Sequence, residues 1–259
     1  MEGRLRRDRF DEGRTGGIAA TGGPVLRKLQ GFGRLEEADA TALALFESGT
    51  RLAPSGADLI CEGDRPEGML AITEGFACRY KLRENGARQI MAYLIPGDVC
   101  DFESSVLDRI DHAVGTLSTC RIVRVAPEAA RDLRARPALE RGLRTAALVD
   151  EAILREWIMN LGRRSAVERL AHLFCELLVR MRAVGLAFGN SYDLPITQLD
   201  LADTTGMTSV HVNRSLGELK RAGLIERKGK RLTLCDLPRL MEMAEFRPNY
   251  LHREVPVAA

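Results

Sequence analysis

The sequence predicts an α+β protein built from an N-terminal antiparallel β-roll, one long helix and a C-terminal winged helix-turn-helix. Three observations predict it. Between Arg51 and Pro127 short apolar runs alternate with turn residues. From Ala138 to Leu161 the apolar residues recur at helical steps. From Ile196 to Ile225 the stretch ITQLDLADTTGMTSVHVNRSLGELKRAGLI sets two short amphipathic segments on either side of one glycine.

Composition permits this reading. The chain has 259 residues, 45% of them hydrophobic and 29% charged, which suits a soluble globular chain of one large or two modest domains. No apolar run approaches the roughly 18 residues of a membrane span, and MEGRLRRDRFDEGRTGGIAATGG lacks a signal-type apolar core, so no membrane partner and a cytoplasmic location are expected. The net charge is only +2, so any basic surface must be local. Six scattered cysteines include no Cys-x-x-Cys pair and read as reduced thiols, several of them buried.

Residues 1–25, rich in Gly and Arg without periodicity, are expected to be a mobile tail, with Arg4, Arg6, Arg7, Arg9 and Arg14 available to a polyanion. The roll is assigned to residues 26–135. A short helix around Leu35–Gly49 precedes its strands, DLICEGD, GMLAITEGFACRYKL, RQIMAYLIPGD and HAVGTLSTCRIVRVAP. Asn85-Gly86 supplies the positive φ angles of a tight hairpin. Short strands at such close spacing close best as a barrel or roll.

Residues 136–164 are assigned to a dimerisation helix. Leu139, Leu143, Ala146, Ile153, Trp157 and Leu161 form its stripe, with Asp150 at the gap. Roughly 24 residues make a rod about 36 Å long. Its stripe could lie on the chain's own strands, but a roll face is too short to cover it, so a partner helix is expected, with Asp150 fixing the register.

Residues 165–245 are assigned to the winged helix-turn-helix, and residues 246–259 to a C-terminal tail. Ser165 with Glu168 makes a capping box for a core helix carrying Leu170, Leu173, Leu177 and Met181. Thr197 with Asp200 makes another. Gly206 permits the turn, Thr208 caps the second helix, and Val212, Leu216 and Leu219 face inward. Ser209, Val210, Asn213 and Arg214 are left on the outward face. Those groups suit the major groove, where arginine reads guanine, an amide reads adenine and an apolar contact meets a thymine methyl. Lys228-Gly229-Lys230 reads as the tip of a wing, and between Asn213 and Arg231 seven cations stand against two anions. That is the electrostatic footprint of phosphate contact.

LADTTGMTSVHVNRSLGELKRAGLI resembles the helix-turn-helix of the CRP/FNR transcription regulators, and the likeness extends from about Leu26 to Leu240. The Glu62-Gly63-Asp64 and Pro96-Gly97-Asp98 turns and the long helix fall in that family's order. The resemblance implies a cupin-like, cyclic-nucleotide-binding-like roll, a homodimer on a palindromic operator in double-stranded DNA, and RNA polymerase as a partner. It implies DNA contact by Thr208, Ser209, Val210, Asn213 and Arg214; Thr197 and the wing residues Lys228 and Lys230 are also expected at the DNA. Arg214 matches the arginine that meets guanine, while Val210 replaces a common glutamate, so the best-known half-site does not carry over.

The resemblance also places an effector pocket at Asp101, Phe102, Asp111, His112, Leu154 and Arg155. Family members that bind cyclic AMP carry Gly-Glu and Arg-Ser where this chain has Asp101-Phe102 and Asp111-His112. An acid in place of the arginine repels a phosphate, which argues against cyclic AMP. No cysteine precedes Cys61 to build an iron–sulfur site, and His112 is the sole histidine expected in the sensor, so no cofactor and no metal are expected. Control is left to abundance, to an unidentified effector, or to a thiol, with Cys100 beside the degenerate cassette the first to consider. The alternative is a small-molecule or thiol-sensing receptor whose output is protein docking. The absence of H-E-x-x-H, G-x-S-x-G and Walker sequences argues against an enzyme.

Overall fold

The computed structural model describes residues 22–100 and 107–252, so the arginines of the N-terminal segment, together with Asp101 and Phe102, lie outside the described residues. Helices α1 (Pro24–Gln30) and α2 (Glu37–Ser48) come first. The assigned tail therefore ends earlier than residue 25: Pro24 starts α1 and Val25 is buried. A capping box between Glu36 and Asp39 starts α2.

Among the described residues eight short strands follow: β1 (Arg51–Ala53), β2 (Asp58–Ile60), β3 (Met69–Glu74), β4 (Ala77–Leu82), β5 (Arg88–Leu94), β6 (Val99–Cys100), β7 (Ala113–Thr116) and β8 (Cys120–Val125). They pair antiparallel in two four-stranded sheets, β1-β8-β3-β6 and β2-β7-β4-β5. Leu70, Ile72, Leu94, Val114 and Ile122 fill the space between the sheets. The alternate residues Met69 and Ala71 of β3 face outward, under α1, α2 and the start of the long helix. β3 is thus covered on both faces, which is why it reads as a continuous apolar run. The β4–β5 hairpin closes over Glu84-Asn85-Gly86, with Gly86 at φ +79° and Arg83 N donating to Ala87 O. It is a three-residue loop with glycine in the left-handed position, one residue longer than the tightest turn.

The Pro96-Gly97-Asp98 turn holds distant parts together. Gly97 sits at φ +97°, and a Cβ there would meet Pro24 O at 2.7 Å. Asp98 is buried and accepts from Ile95 N at 2.7 Å and Lys28 Nζ of α1 at 2.7 Å. It also accepts from Arg180 Nη2 at 2.8 Å. Burial opposes its charge, but the two cations outweigh burial and hold its carboxyl below the usual carboxylate range.

α3 (Pro127–Arg134) leads into α4 (Pro137–Arg163), 27 residues long. Here the expected dimer seam is corrected. Leu139, Leu143 and Ala146 are buried under α1, α2 and the roll, and Ile153 and Trp157 are buried against the C-terminal half of the molecule. Trp157 is 5% exposed, meets Tyr93 edge-on at 5.6 Å, and donates from Nε1 to Glu176 at 3.1 Å. Asp150 pairs within its own chain, with Arg79 at 3.3 Å and Lys28 at 4.0 Å. Leu161 is half-buried, beside the turn glycine Gly206. The roll alone could not cover this stripe; α1, α2, the helix at Ala166–Ala183 and residues 246–251 complete the cover. What α4 leaves exposed is a second apolar face: Leu148, Leu154, Ile158 and Met159.

α5 (Ala166–Ala183) starts at the Ser165–Glu168 capping box and buries Leu170, Leu173, Leu177 and Met181. β9 (Ala187–Phe188) and β10 (Ser191–Asp193) lead to α6 (Gln198–Thr205) and α7 (Ser209–Arg221). The wing strands β11 (Ile225–Lys228) and β12 (Arg231–Leu234) follow, then α8 (Leu237–Met243) and a 3-10 turn at Pro248–Leu251. The sheet order is β11-β12-β10-β9. The assigned C-terminal tail is also corrected: Phe246, Tyr250 and Leu251 are buried, and Tyr250 Oη donates to Glu176 at 3.0 Å. The signal was two aromatics in FRPNYL, which cover the middle of α5 around His172 and Glu176.

Candidate DNA-binding face

Local rules build the motif. Thr197 accepts from Asp200 N at 3.1 Å, and Asp200 accepts from Thr197 N at 2.8 Å. Together they satisfy two of the orphan donors that begin α6. Gly206 ends the helix at φ +65°, a left-handed position costly for residues with a Cβ. Thr208 then accepts from His211 N at 3.2 Å and starts α7. Thr197 and Thr208, expected at DNA, are exposed, and their hydroxyls serve as helix caps.

The inward stripe of α7, Val212, Ser215, Leu216 and Leu219, is buried, so its opposite face is fixed outward. Ser209, Val210, Asn213 and Arg214 are all exposed, Val210 at 80%. Two further side chains join them that the sequence reading did not select. Gln198 Oε1 accepts from Asn213 Nδ2 at 3.2 Å, and His211 Nε2 lies 3.3 Å from Arg214 Nη2. Gln198 comes from the other helix, a proximity no spacing along α7 reveals.

The wing cations divide by task. Arg227 is half-buried and donates to Leu194 O and Ile196 O at 3.3 and 2.8 Å, tying β11 to the start of α6. Arg231 pairs with Asp193 at 2.7 Å. Lys228 and Lys230 flank the tip, both exposed; Lys228 pairs with Glu226 at 2.9 Å, which raises its pKa. Lys220 and Arg221 extend the basic edge at the end of α7.

Of the expected effector residues, Asp111, His112, Leu154 and Arg155 lie among the described residues. Asp111 is exposed and sits 2.9 Å from His112 Nδ1, and Lys81 approaches at 4.0 Å. The hydrogen bond from His112 holds the Asp111 carboxyl below its usual range. Leu154 and Arg155 lie on the solvent face of α4, where Arg155 pairs with Glu151 at 3.7 Å. Cys100 is buried, its thiol donating to Leu70 O at 3.4 Å. Among the described residues no group of His, Cys, Asp and Glu could hold a metal ion, and no helix is long and apolar enough to cross a membrane.

Residues 50–136 match the cyclic nucleotide-binding domain family and residues 168–243 the Crp-like helix-turn-helix domain. The nitrogen fixation regulation protein FixK of Bradyrhizobium diazoefficiens is 31% identical over 209 residues, 80% of this chain and 87% of the relative. The transcriptional activator protein FnrL of Cereibacter sphaeroides is 30% identical over 195 residues, 73% of this chain and 78% of the relative. This chain belongs to the CRP/FNR family of transcription regulators. The structure of FixK2 from Bradyrhizobium japonicum shares the fold, with a TM-score of 0.66 over 75% of this chain and 96% of that one at 24% identity. Within this CRP/FNR regulator the roll is the nucleotide-binding-like part, and α6, α7 and the wing are the DNA-binding part.

Proposed function

We propose that the chain acts in the cytoplasm as a homodimer that reads a palindromic operator, with α7 of each protomer in the major groove and the Lys228–Lys230 tip on the phosphates. The observation that carries this reading is the outward face of α7: Ser209, Val210, Asn213 and Arg214 exposed above a fully buried inner stripe. Arg214 would take guanine, Asn213 adenine and Val210 a thymine methyl. The exposed α4 face, Leu148, Leu154, Ile158 and Met159, is the surface for the second protomer. RNA polymerase is the partner that a relative named as a transcriptional activator suggests. Cyclic AMP is not the expected effector: Asp111, whose carboxyl His112 holds below its usual range, matches the position where cyclic-AMP-binding members of the family carry the phosphate-binding arginine.

The test is selection from a pool of random duplexes, followed by affinity measured against salt. Selection of a two-fold symmetric sequence and a steep fall of affinity with ionic strength are expected. Arg214→Ala should cost about 1–3 kcal/mol at one base pair of each half-site, whereas Lys228→Ala should weaken all sequences alike. Unchanged site preference and affinity in Arg214→Ala would refute the assignment of the reading helix.

A further inference from the structure

The sensor roll touches the helix-turn-helix directly, through one strand. Arg88, the first residue of β5, reaches two carboxylates of α6: Nη2 lies 2.6 Å from Asp200 Oδ1 and Nε 2.7 Å from Asp203 Oδ2. Gln89 Nε2 donates to Thr204 O at 3.3 Å. Tyr93 Oη lies 2.5 Å from Thr204 Oγ1 and 3.3 Å from Asp200 O. The guanidinium also lies 5.9 Å from the centre of the Tyr80 ring. Burial works against its charge, but the bonds to Asp203 and Asp200 outweigh burial and raise its pKa.

The charges decide what this contact does. Asp200 and Asp203 belong to the helix that supports α7, and Asp200 also caps it through Thr197. With α6 seated on β5, both carboxylates are neutralised and the reading face of α7 is open to solvent. With α6 lifted off, two unpaired anions would stand on a unit that must approach a polyanion. The seated arrangement is therefore the one competent for DNA.

We infer that Arg88 is a positioning residue for DNA binding: its clamp on Asp200 and Asp203 fixes the helix-turn-helix on the roll in the orientation that reads the operator. The inference rests on the DNA-binding reading above. It makes β5 the route by which a change in the roll reaches α7.

The test uses the full chain and the duplex it selects from the random pool. Arg88→Gln should weaken that duplex about tenfold, within the range of energetic coupling between residues in contact. The salt slope should not change, because Arg88 touches carboxylates and not phosphates; a slope smaller by about one would make it a phosphate contact and overturn the inference. Asp203→Asn is the sharper variant, nearly isosteric and only partly buried, and it stands alone if Arg88→Gln does not fold. On charge alone, removing an anion should tighten DNA binding; the clamp requires that it weaken it, and the double variant should be no weaker than Arg88→Gln. Inserting one base pair between half-sites should penalise the unaltered protein more than Arg88→Gln, whose reading unit is less firmly held. Tighter or unchanged binding by Asp203→Asn overturns the clamp while leaving the DNA reading intact. If the unaltered protein selects no duplex, the DNA reading itself falls, and the clamp with it.

Discussion

His172 shows how strongly one side chain's surroundings set its chemistry. It is 1% exposed, flanked by Phe246 edge-on at 5.2 Å and by Tyr250 stacked at 6.1 Å. Glu156 Oε2 lies 3.4 Å from Nε2, yet neither ring nitrogen is hydrogen-bonded. Burial, aided by the nearby Arg164 cation, pushes its pKa down to about 3. The folded protein thus keeps the ring neutral where the unfolded chain protonates it near the ordinary value of 6.5. Between about pH 6.5 and 3 the unfolded chain binds the extra proton, so this contribution to stability is full above 6.5 and is lost as pH falls through the window. Glu176 acts with the opposite sign: burial raises its pKa despite Arg180, and its contribution is lost as pH rises through the raised value. The melting temperature should therefore fall from pH 7 to pH 5, and His172→Phe, which keeps an aromatic ring between Phe246 and Tyr250, should flatten that fall. An equal acid slope in both proteins would assign the loss to other groups.

At the scale of an element, α4 separates what periodicity reveals from what it hides. Its length, its stripe and the Ser165 cap that follows were all legible, because caps and helical steps are local properties. Which body covers the stripe was not, since a periodic pattern defines a face and says nothing about what lies on it. Leu143 and Trp157 meet their own chain; Ile158, one residue on from Trp157, is 71% exposed. The two positions should respond differently. Trp157→Ala removes a buried indole and leaves its carboxylate partner Glu176 short of a donor, so it should destabilise the fold by about 3–5 kcal/mol. Ile158→Glu should leave the melting of a dilute monomer nearly unchanged and shift sedimentation toward the monomer, because it places charge in the proposed protomer contact. A dimer unaffected by Ile158→Glu would remove this face from consideration. The same contrast holds in the reading motif. The caps at Thr197 and Thr208, the turn at Gly206 and the exposed face of α7 follow from sequence, while the approach of Gln198 to Asn213 and of Arg88 to α6 depends on how separate elements meet.

At the scale of the whole molecule, the parts that a linear reading separates are joined by buried charge. Lys28 of α1, Asp98 of the turn between β5 and β6, and Arg180 and Glu176 of α5 form one chain of contacts, ending in Trp157 of α4 and Tyr250 of the last turn. Arg180 also donates to Tyr93 O at 2.8 Å, which ties the roll to α5 a second time. The Pro-Gly-Asp turn was visible in the sequence as a motif, but the partners of its aspartate lie 70 and 82 residues away, and no local pattern names them. Buried ion pairs add little net stability when compared with well-packed apolar groups, yet removing one partner strands the others without compensation. Asp98→Ala would leave Lys28 and Arg180, two cations that now share one carboxylate, buried near each other, with Asp150 and Glu176 only partly able to take them up. We expect a loss of about 3–5 kcal/mol in urea unfolding. The single tryptophan, Trp157, sits at the junction and reports it directly. Because Asp98 links the roll to α5, tryptophan fluorescence and far-ultraviolet circular dichroism should move together in the unaltered protein, whose halves then unfold as one cooperative unit. In Asp98→Ala the two signals should separate, with fluorescence changing at lower urea as the junction opens before the sheets melt. Coincident transitions and a loss below about 1 kcal/mol in Asp98→Ala would mean that apolar contact between the cores, not this carboxylate, holds the sensor to the DNA-binding half.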